Sequence, residues 1–448
     1  MRNETITLTL KRTLTTCGLL ALLFLLFLGG CHAKSAARPA PSNARQITAM
    51  VLSDNHTIAP TLHDNGNSFD TYAANDGGAD LKYSATILRA FVQQALKTKP
   101  DVVILSGDLT NNGERASHDY VAKQLKRLRT AHIQPYVVPG NHDINNPIAR
   151  RFKGKQQFEV DGVSPEQFKK VYHQDGYAQA AETDSNSLSY LVKPGKKTWF
   201  LMLNSAIYRG NYQQGSATVG GGLNDGTLKW VKQVGQRAKK QGATVIPVLH
   251  HNTMDHTMIH QDYTIGYADQ VRDVFTKAGI KLSLSGHIHA QNITHQQVNG
   301  TRLTDIASGS LIIAPHYYGT LTVNQKSGQA RYHATRLNVS DYIQTHQGKT
   351  AAATYRKYDH DVLYASGYNA ALAQLYEGRG ESNLSTAKMK RLADGMGRAN
   401  IAMFRGTPIK DAKLLDEWQA MPKDTPFRSF ILRTNSLKNN LNWRGATR

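Results

Sequence analysis

The stretch VVPGNHDIN, residues 137–145, decides how the rest of the chain is read. Val137, Val138 and Pro139 have the apolar character of a buried strand near its end. Gly140, Asn141, His142 and Asp143 follow in one tight bend. Polar and ionisable side chains at the lip of a core cost desolvation free energy, so the bend calls for a compensating partner.

The same arrangement recurs along the chain. Strand patterns are expected at 46–54, 101–108, 134–141, 198–205, 244–251 and 281–289, with shorter ones at 303–313, 318–324 and 330–337. Amphipathic helical spacing falls between them at 85–98, 119–131, 227–241 and 268–278. This alternation is an α/β layout. Five of the strands stop in metal-capable side chains: Asp54 and His56; Asp108; Asn141, His142 and Asp143; His250 and His251; His287 and His289. In open α/β sheets ligands gather beyond the carboxyl ends of the strands, so these groups are expected to converge. Each fragment alone is an ordinary turn or cap; the weight lies in all five falling at one kind of structural position. Imidazoles, carboxylates and one amide oxygen suit Mn, Fe or Zn.

The succession D-x-H, G-D, G-N-H-D, H and G-H-x-H over residues 47–335 resembles the calcineurin-like metallophosphoesterase superfamily. GDLTNNGE, GNHDINNP and SGHIH, with a helical C-terminal appendage, look most like secreted bacterial phosphodiesterases active on cyclic nucleotides. One departure is Asn204, where close relatives are expected to carry aspartate. The resemblance implies an αββα sandwich with two divalent ions. One ion would sit on Asp54, His56, Asp108 and His289, and the other on Asp108, Asn141, His250 and His287, with Asp108 bridging. Two such ions can share a hydroxide and hold both ends of an in-line displacement at phosphorus. His142 is then the expected general acid or positive partner of the phosphoryl oxygens, and Asp143 its support or that of a neighbouring ligand. Gly140 is expected to allow a sharp bend with backbone close to the ions. Family alignment favours His250 over His251 as ligand, leaving His251 behind it or facing the substrate, and Asn111 is a candidate contact to the phosphate. His256 and His260, spaced i, i+4, read as exposed loop histidines.

The N-terminus is expected to be a lipoprotein-type signal, residues 1–31. Arg2, Lys11 and Arg12 precede the apolar run LLALLFLLFL at 19–28, and LGGC at 28–31 resembles a bacterial lipobox, implying cleavage before Cys31 and lipidation of its thiol. Cys17 would leave with the signal, so the mature chain would have no disulfide, and cysteine–zinc chemistry is excluded. A flexible tether, 32–46, would follow. Export to the outer face of the cell membrane, held by the lipid, is the expected location. The catalytic domain is expected at 47–340, with 150–195 as an insertion able to cover a site mouth. A small basic all-α domain is expected at 341–448, carrying 17 Lys and Arg against 10 Asp and Glu.

The formal charge is +21, or +19 after removal of the signal. It favours anionic surroundings such as headgroups, wall polymers or phosphorylated substrates. A small phosphoester, with nucleotides in view, is the expected substrate, and no specific nucleic-acid partner is evident. A phosphomonoesterase of 5′-nucleotidase type would use the same two-ion core. A non-catalytic binder of anionic polymers would show damaged ligands and an aromatic-basic stripe, and the sequence shows neither.

Overall fold

A computed structural model describes residues 42–257, 262–377, 384–425, 427–434 and 440–448, all within one compact unit, Ala40–Arg448. Cys31, the signal, most of the tether and His260 lie outside the described residues. Among the described residues no helix is long and apolar enough to cross a membrane.

The strands are β1 (Gln46–Leu52), β2 (Val102–Ser106), β3 (Gln134–Val138), β4 (Arg150–Lys153), β5 (Gln156–Glu159), β6 (Glu182–Thr183), β7 (Tyr190–Val192), β8 (Thr198–Met202), β9 (Thr244–Val248), β10 (Leu282–Ser285), β11 (Asn292–Val298), β12 (Thr301–Ala307), β13 (Tyr317–Asn324), β14 (Gln329–Arg336) and β15 (Asn442–Ala446). They form two mixed sheets, ordered β15-β14-β13-β1-β2-β3 and β11-β12-β10-β9-β8-β7-β6, plus a separate β4–β5 hairpin. β1, β2 and β3 run parallel, as do β8, β9, β10 and β12. Antiparallel strands flank both parallel sets.

The sandwich follows from strand periodicity. Along β8 successive side chains point to opposite faces. Phe200 and Met202 join Ile246, Leu284, Val103 and Leu105 in the core shared by the two sheets. Trp199 and Leu201 instead pack with Val231 and Val234 of the helix Asp225–Lys240 and Phe275 of the helix Ala268–Lys277. On the first sheet, helix Ser84–Thr98 buries Ile87, Leu88, Phe91, Val92 and Ala95, the stripe expected at a period of 3.6 residues. Helices thus cover the outer faces, and the central parallel strands are buried throughout.

The interruption at 150–195 divides in two. Its first part makes the β4–β5 hairpin, whose Phe152 packs against Phe69 and Tyr72. Its second part adds β6 and β7 to the edge of the second sheet. Beyond β14 the helices Val339–Gln347, Lys349–Glu377, Thr386–Arg405, Ala412–Gln419 and Arg428–Thr434 follow. Met389, Leu392, Met396, Trp418 and Ile431 give them an apolar cluster of their own. The all-α expectation does not extend to the tail. β15 pairs antiparallel with β14, setting Trp443 opposite Tyr332. Residues 442–446 carry little hydrophobic signal, because this edge strand owes its place to ladder hydrogen bonds rather than to a buried face.

Candidate metal centre

β1, β2 and β3 deliver Asp54 and His56, Asp108, and Asn141 and His142 at adjacent carboxyl ends. β9 and β10 deliver His250, His287 and His289 from the facing sheet. The chain turns sharply at these points. Asp54, His56, Asp108, His287 and His289 have φ of 51°, 32°, 48°, 70° and 59°. A non-glycine residue there costs about 1–3 kcal/mol, and such strain concentrates at functional sites. Gly140 gives the close backbone approach expected of it, without a left-handed bend. Its φ is not positive; a Cβ there would overlap the Asp108 carboxylate and main-chain nitrogen.

The donors form two sets. Asp54, His56, Asp108 and His289 have one ligand atom each within 4.8 Å of the others, and Asp108, His250 and His287 form a second such group. Asp108 belongs to both. Its Oδ2 lies 3.6 Å from His56 Nε2 and 3.1 Å from His250 Nε2. His250 Nε2 also lies 3.1 Å from Asn141 Oδ1, which brings Asn141 into the second group. His250 Nδ1 donates to the Ser106 carbonyl at 3.0 Å, which turns Nε2 inward. Asp54 accepts the His287 main-chain N–H at 3.0 Å, joining the two sheets at the centre.

His251 is a different case. Its Nδ1 meets Ser205 Oγ and its Nε2 the Val219 carbonyl, both at 2.9 Å, so neither nitrogen points into the cluster. Asn111 hydrogen-bonds the Tyr72 hydroxyl through its side chain at 3.1 Å. Its carbonyl accepts from His142 Nδ1 at 2.7 Å, so it positions His142 from behind. Asp143 does not orient the His142 ring. Its carboxylate accepts the main-chain N–H groups of Leu109, Thr110 and Gly140 and the Thr110 hydroxyl, stapling the bend after β3 to the bend after β2. Asn204 lies outside the cluster, capping Ala206 and meeting Tyr208. His256 is not an exposed loop residue; it is buried, 3.3 Å from the Asp305 carboxylate.

Electrostatics agree with a cation-binding role. Burial alone would raise the Asp108 carboxyl, but the imidazoles of His250 and His142 hold it well below the usual carboxylate range. Burial opposes charge on His250, yet Asp108 pushes it up to about 9. Carboxylates and imidazoles converge here in one buried cluster, and these mixed N and O donors fit two divalent metal ions sharing Asp108.

Three contributors escaped the sequence reading. Tyr72 braces Asn111 and Asn112. His118, fully buried, donates to the Asp143 carbonyl at 2.8 Å and meets the Tyr172 hydroxyl at 2.9 Å. Asp76 is an electrostatic neighbour of His142 and His289. None has a local motif; each is defined by a contact across elements.

The model of the family described as calcineurin-like phosphoesterase matches residues 47–291. A protein of Moraxella catarrhalis named "Probable cyclic nucleotide phosphodiesterase" is 24% identical over 227 residues, 50% of this chain and 71% of that one. A protein of Arcobacter nitrofigilis named "Probable glycerophosphodiester phosphodiesterase" is 27% identical over 203 residues, 44% of this chain and 60% of that one. Among solved structures, a dimetal phosphatase from Danio rerio superposes with a TM-score of 0.46 at 14% identity, covering 65% of this chain and 96% of that one. Every donor that the five strand ends bring together falls inside the matched span, and on that footing the chain belongs to the calcineurin-like phosphoesterases, a family of metal-dependent phosphoesterases.

Proposed function

We propose that this protein is an exported, lipid-anchored phosphodiesterase that hydrolyses small phosphodiesters, with cyclic nucleotides as the substrate class. The observation that carries the reading is the shared Asp108 between two donor sets, with His142 beside it. Two divalent ions, Mn, Fe or Zn, held by Asp54, His56, Asp108 and His289 and by Asp108, Asn141, His250 and His287, would supply Lewis acidity toward a phosphoryl group and a lowered pKa for water. The remaining work falls to the protein's own groups. Asn141 offers a neutral oxygen and adds no charge to a site already carrying two carboxylates. Asn111 fixes the His142 ring through Nδ1, so Nε2 is the atom that can donate to a departing ester oxygen. Asp143 keeps the two bends in register.

The names of the two relatives support a diester over a monoester substrate. Export and lipidation at Cys31 rest on the sequence of residues 1–31. The same proposal takes 47–340 as the catalytic domain and 341–448 as its helical appendage, with β15 completing the first sheet. The test is turnover of a 2′,3′-cyclic nucleotide, its monoester product and bis(p-nitrophenyl) phosphate with added Mn²⁺. The proposal expects diester hydrolysis that Asn141→Ala abolishes. Faster hydrolysis of the monoester, or an Asn141→Ala variant of full activity, would overturn it.

A further inference from the structure

A second gathering of metal-capable side chains lies apart from the centre described above. Asp80 follows the helix Asn67–Ala74, His316 immediately precedes β13, and Tyr355 and Asp359 sit on the long helix Lys349–Glu377. All four are buried. His316 Nε2 lies 3.1 Å from Asp359 Oδ1, 3.6 Å from Asp80 Oδ2 and 2.8 Å from the Tyr355 hydroxyl. That hydroxyl is 3.0 Å from Asp80 Oδ2. Donors at bond lengths of 2.0–2.1 Å around a tetrahedral ion stand roughly 3.3 Å from one another, and these separations straddle that value.

Two further observations point to a ligand. Asp80 Oδ1 is buried and accepts no hydrogen bond among the described residues, although the Asp80 and Asp359 carboxyl groups are near enough to interact directly. Two carboxylates facing each other in a buried site must hold either a shared proton or a cation between them, and the imidazole and phenol beside them supply the further donors a cation takes. Arg336 acts on Asp359 only at a distance and makes no ion pair with it among the described residues. His316, for its part, is oriented as metal-binding histidines are. Its Nδ1 donates to the Leu311 carbonyl at 2.8 Å, which turns Nε2 toward the carboxylates. The Asp80 N–H is in turn tied to the Ile312 carbonyl at 2.7 Å, so the two loop donors are preset relative to each other.

We propose that Asp80, His316 and Asp359, with the Tyr355 hydroxyl as a neutral donor, form a third divalent-cation site, of the zinc type. The ion joins helix Lys349–Glu377 to the loops that back the metal centre. The linkage is short: Ser310, six residues before His316, donates through its main chain to the His289 carbonyl and through its hydroxyl to the Asp54 carbonyl. The site therefore braces the wall that carries Asp54 and His289, and its presence does not depend on which phosphoester is cleaved.

The test uses the full chain loaded with Zn²⁺ and freed of excess metal. Crystals measured at the zinc edge should show an anomalous peak about 2.0–2.2 Å from His316 Nε2, and elemental analysis should find one zinc fewer in Asp359→Asn than in wild type. An Asp108→Asn variant should keep the His316 peak while its own centre is depleted, which separates failure of this site from failure of the metallophosphoesterase reading. Absence of the peak in wild type, or equal zinc in wild type and a folded Asp359→Asn, would show a proton-sharing hydrogen-bonded cluster instead and overturn the proposal. If Asp359→Asn does not fold, the wild-type anomalous map decides alone.

Discussion

Nε2 of His56 stands 3.2 Å from Nε2 of His289, 233 positions further along the chain. At this distance the rings can share one proton or one ion, and the Asp54 carboxylate 3.5 Å from His289 makes an ion the better occupant. Stripping divalent metal with a chelator is therefore expected to abolish activity and lower the thermal midpoint, and adding Mn²⁺ or Zn²⁺ should restore both. A ligand present at a hundred times its Kd adds about 2.7 kcal/mol to stability, so calorimetry resolves the effect. An unchanged midpoint in metal-free protein would contradict the assignment.

His142 meets the donors through its main-chain N–H to Asp108 and an edge contact with the His56 ring, while its own ring nitrogen Nδ1 is held by Asn111 and, more loosely, by Asn112. Its removal should leave the ions in place. His142→Ala is expected to lower kcat on a diester by ~10²–10⁴-fold with metal content unchanged by elemental analysis. The loss should shrink with a good leaving group such as p-nitrophenolate, which needs little protonation. Loss of metal in parallel with rate would make His142 a ligand instead.

Gly140 has no room for a side chain, because a Cβ would meet both the carboxylate and the main-chain nitrogen of Asp108. Backbone cannot step aside as a flexible side chain can. Gly140→Ala is expected to cost about 1–3 kcal/mol of stability by overpacking and to displace the shared Asp108. Metal affinity and activity should fall together in titrations of the folded variant. A variant with wild-type metal binding would show that the bend relaxes freely.

His118 gives a pH prediction. Burial pulls its imidazole down to about 4, against 6.5 ordinarily, while the bond to the Asp143 carbonyl opposes this and Arg115 adds to it. The folded state thus resists a proton that the unfolded state takes up. The contribution of neutral His118 is fully present above about pH 6.5 and is lost as pH falls toward 4. The span is worth about 3 kcal/mol at 1.36 kcal/mol per pH unit. Denaturant unfolding of wild type and His118→Gln at pH 7.5, 5.5 and 4.5 should show the variant's relative stability rising as pH falls. A difference that does not change with pH would rule out this titration.

Much of the molecule is legible in its sequence. Five strands are apolar runs that each stop in metal-capable side chains, and those side chains sit in short motifs, so Asp54, His56, Asp108, Asn141, His250, His287 and His289 could be named in order. Helix Ser84–Thr98 could be named for a related reason: its buried stripe is periodic, and period survives without tertiary context.

The support of the site was not legible in the same way. Sequence left open whether Asp143 supports His142 or a neighbouring ligand, and the fold spends its carboxylate on three backbone N–H groups of the two bends that carry Asp108 and Asn141. Tyr72, His118 and β15 carry no local pattern, because each is placed by a hydrogen bond or ladder pairing with a distant element. Sequence by itself determined which chemistry the strand ends hold and the order in which they come, since strand-then-ligand is a local signal. Only tertiary structure decided which nitrogen faces inward, what occupies both nitrogens of His251 and what fills the space behind the cluster, because those outcomes depend on the direction of a side chain and the donors across from it.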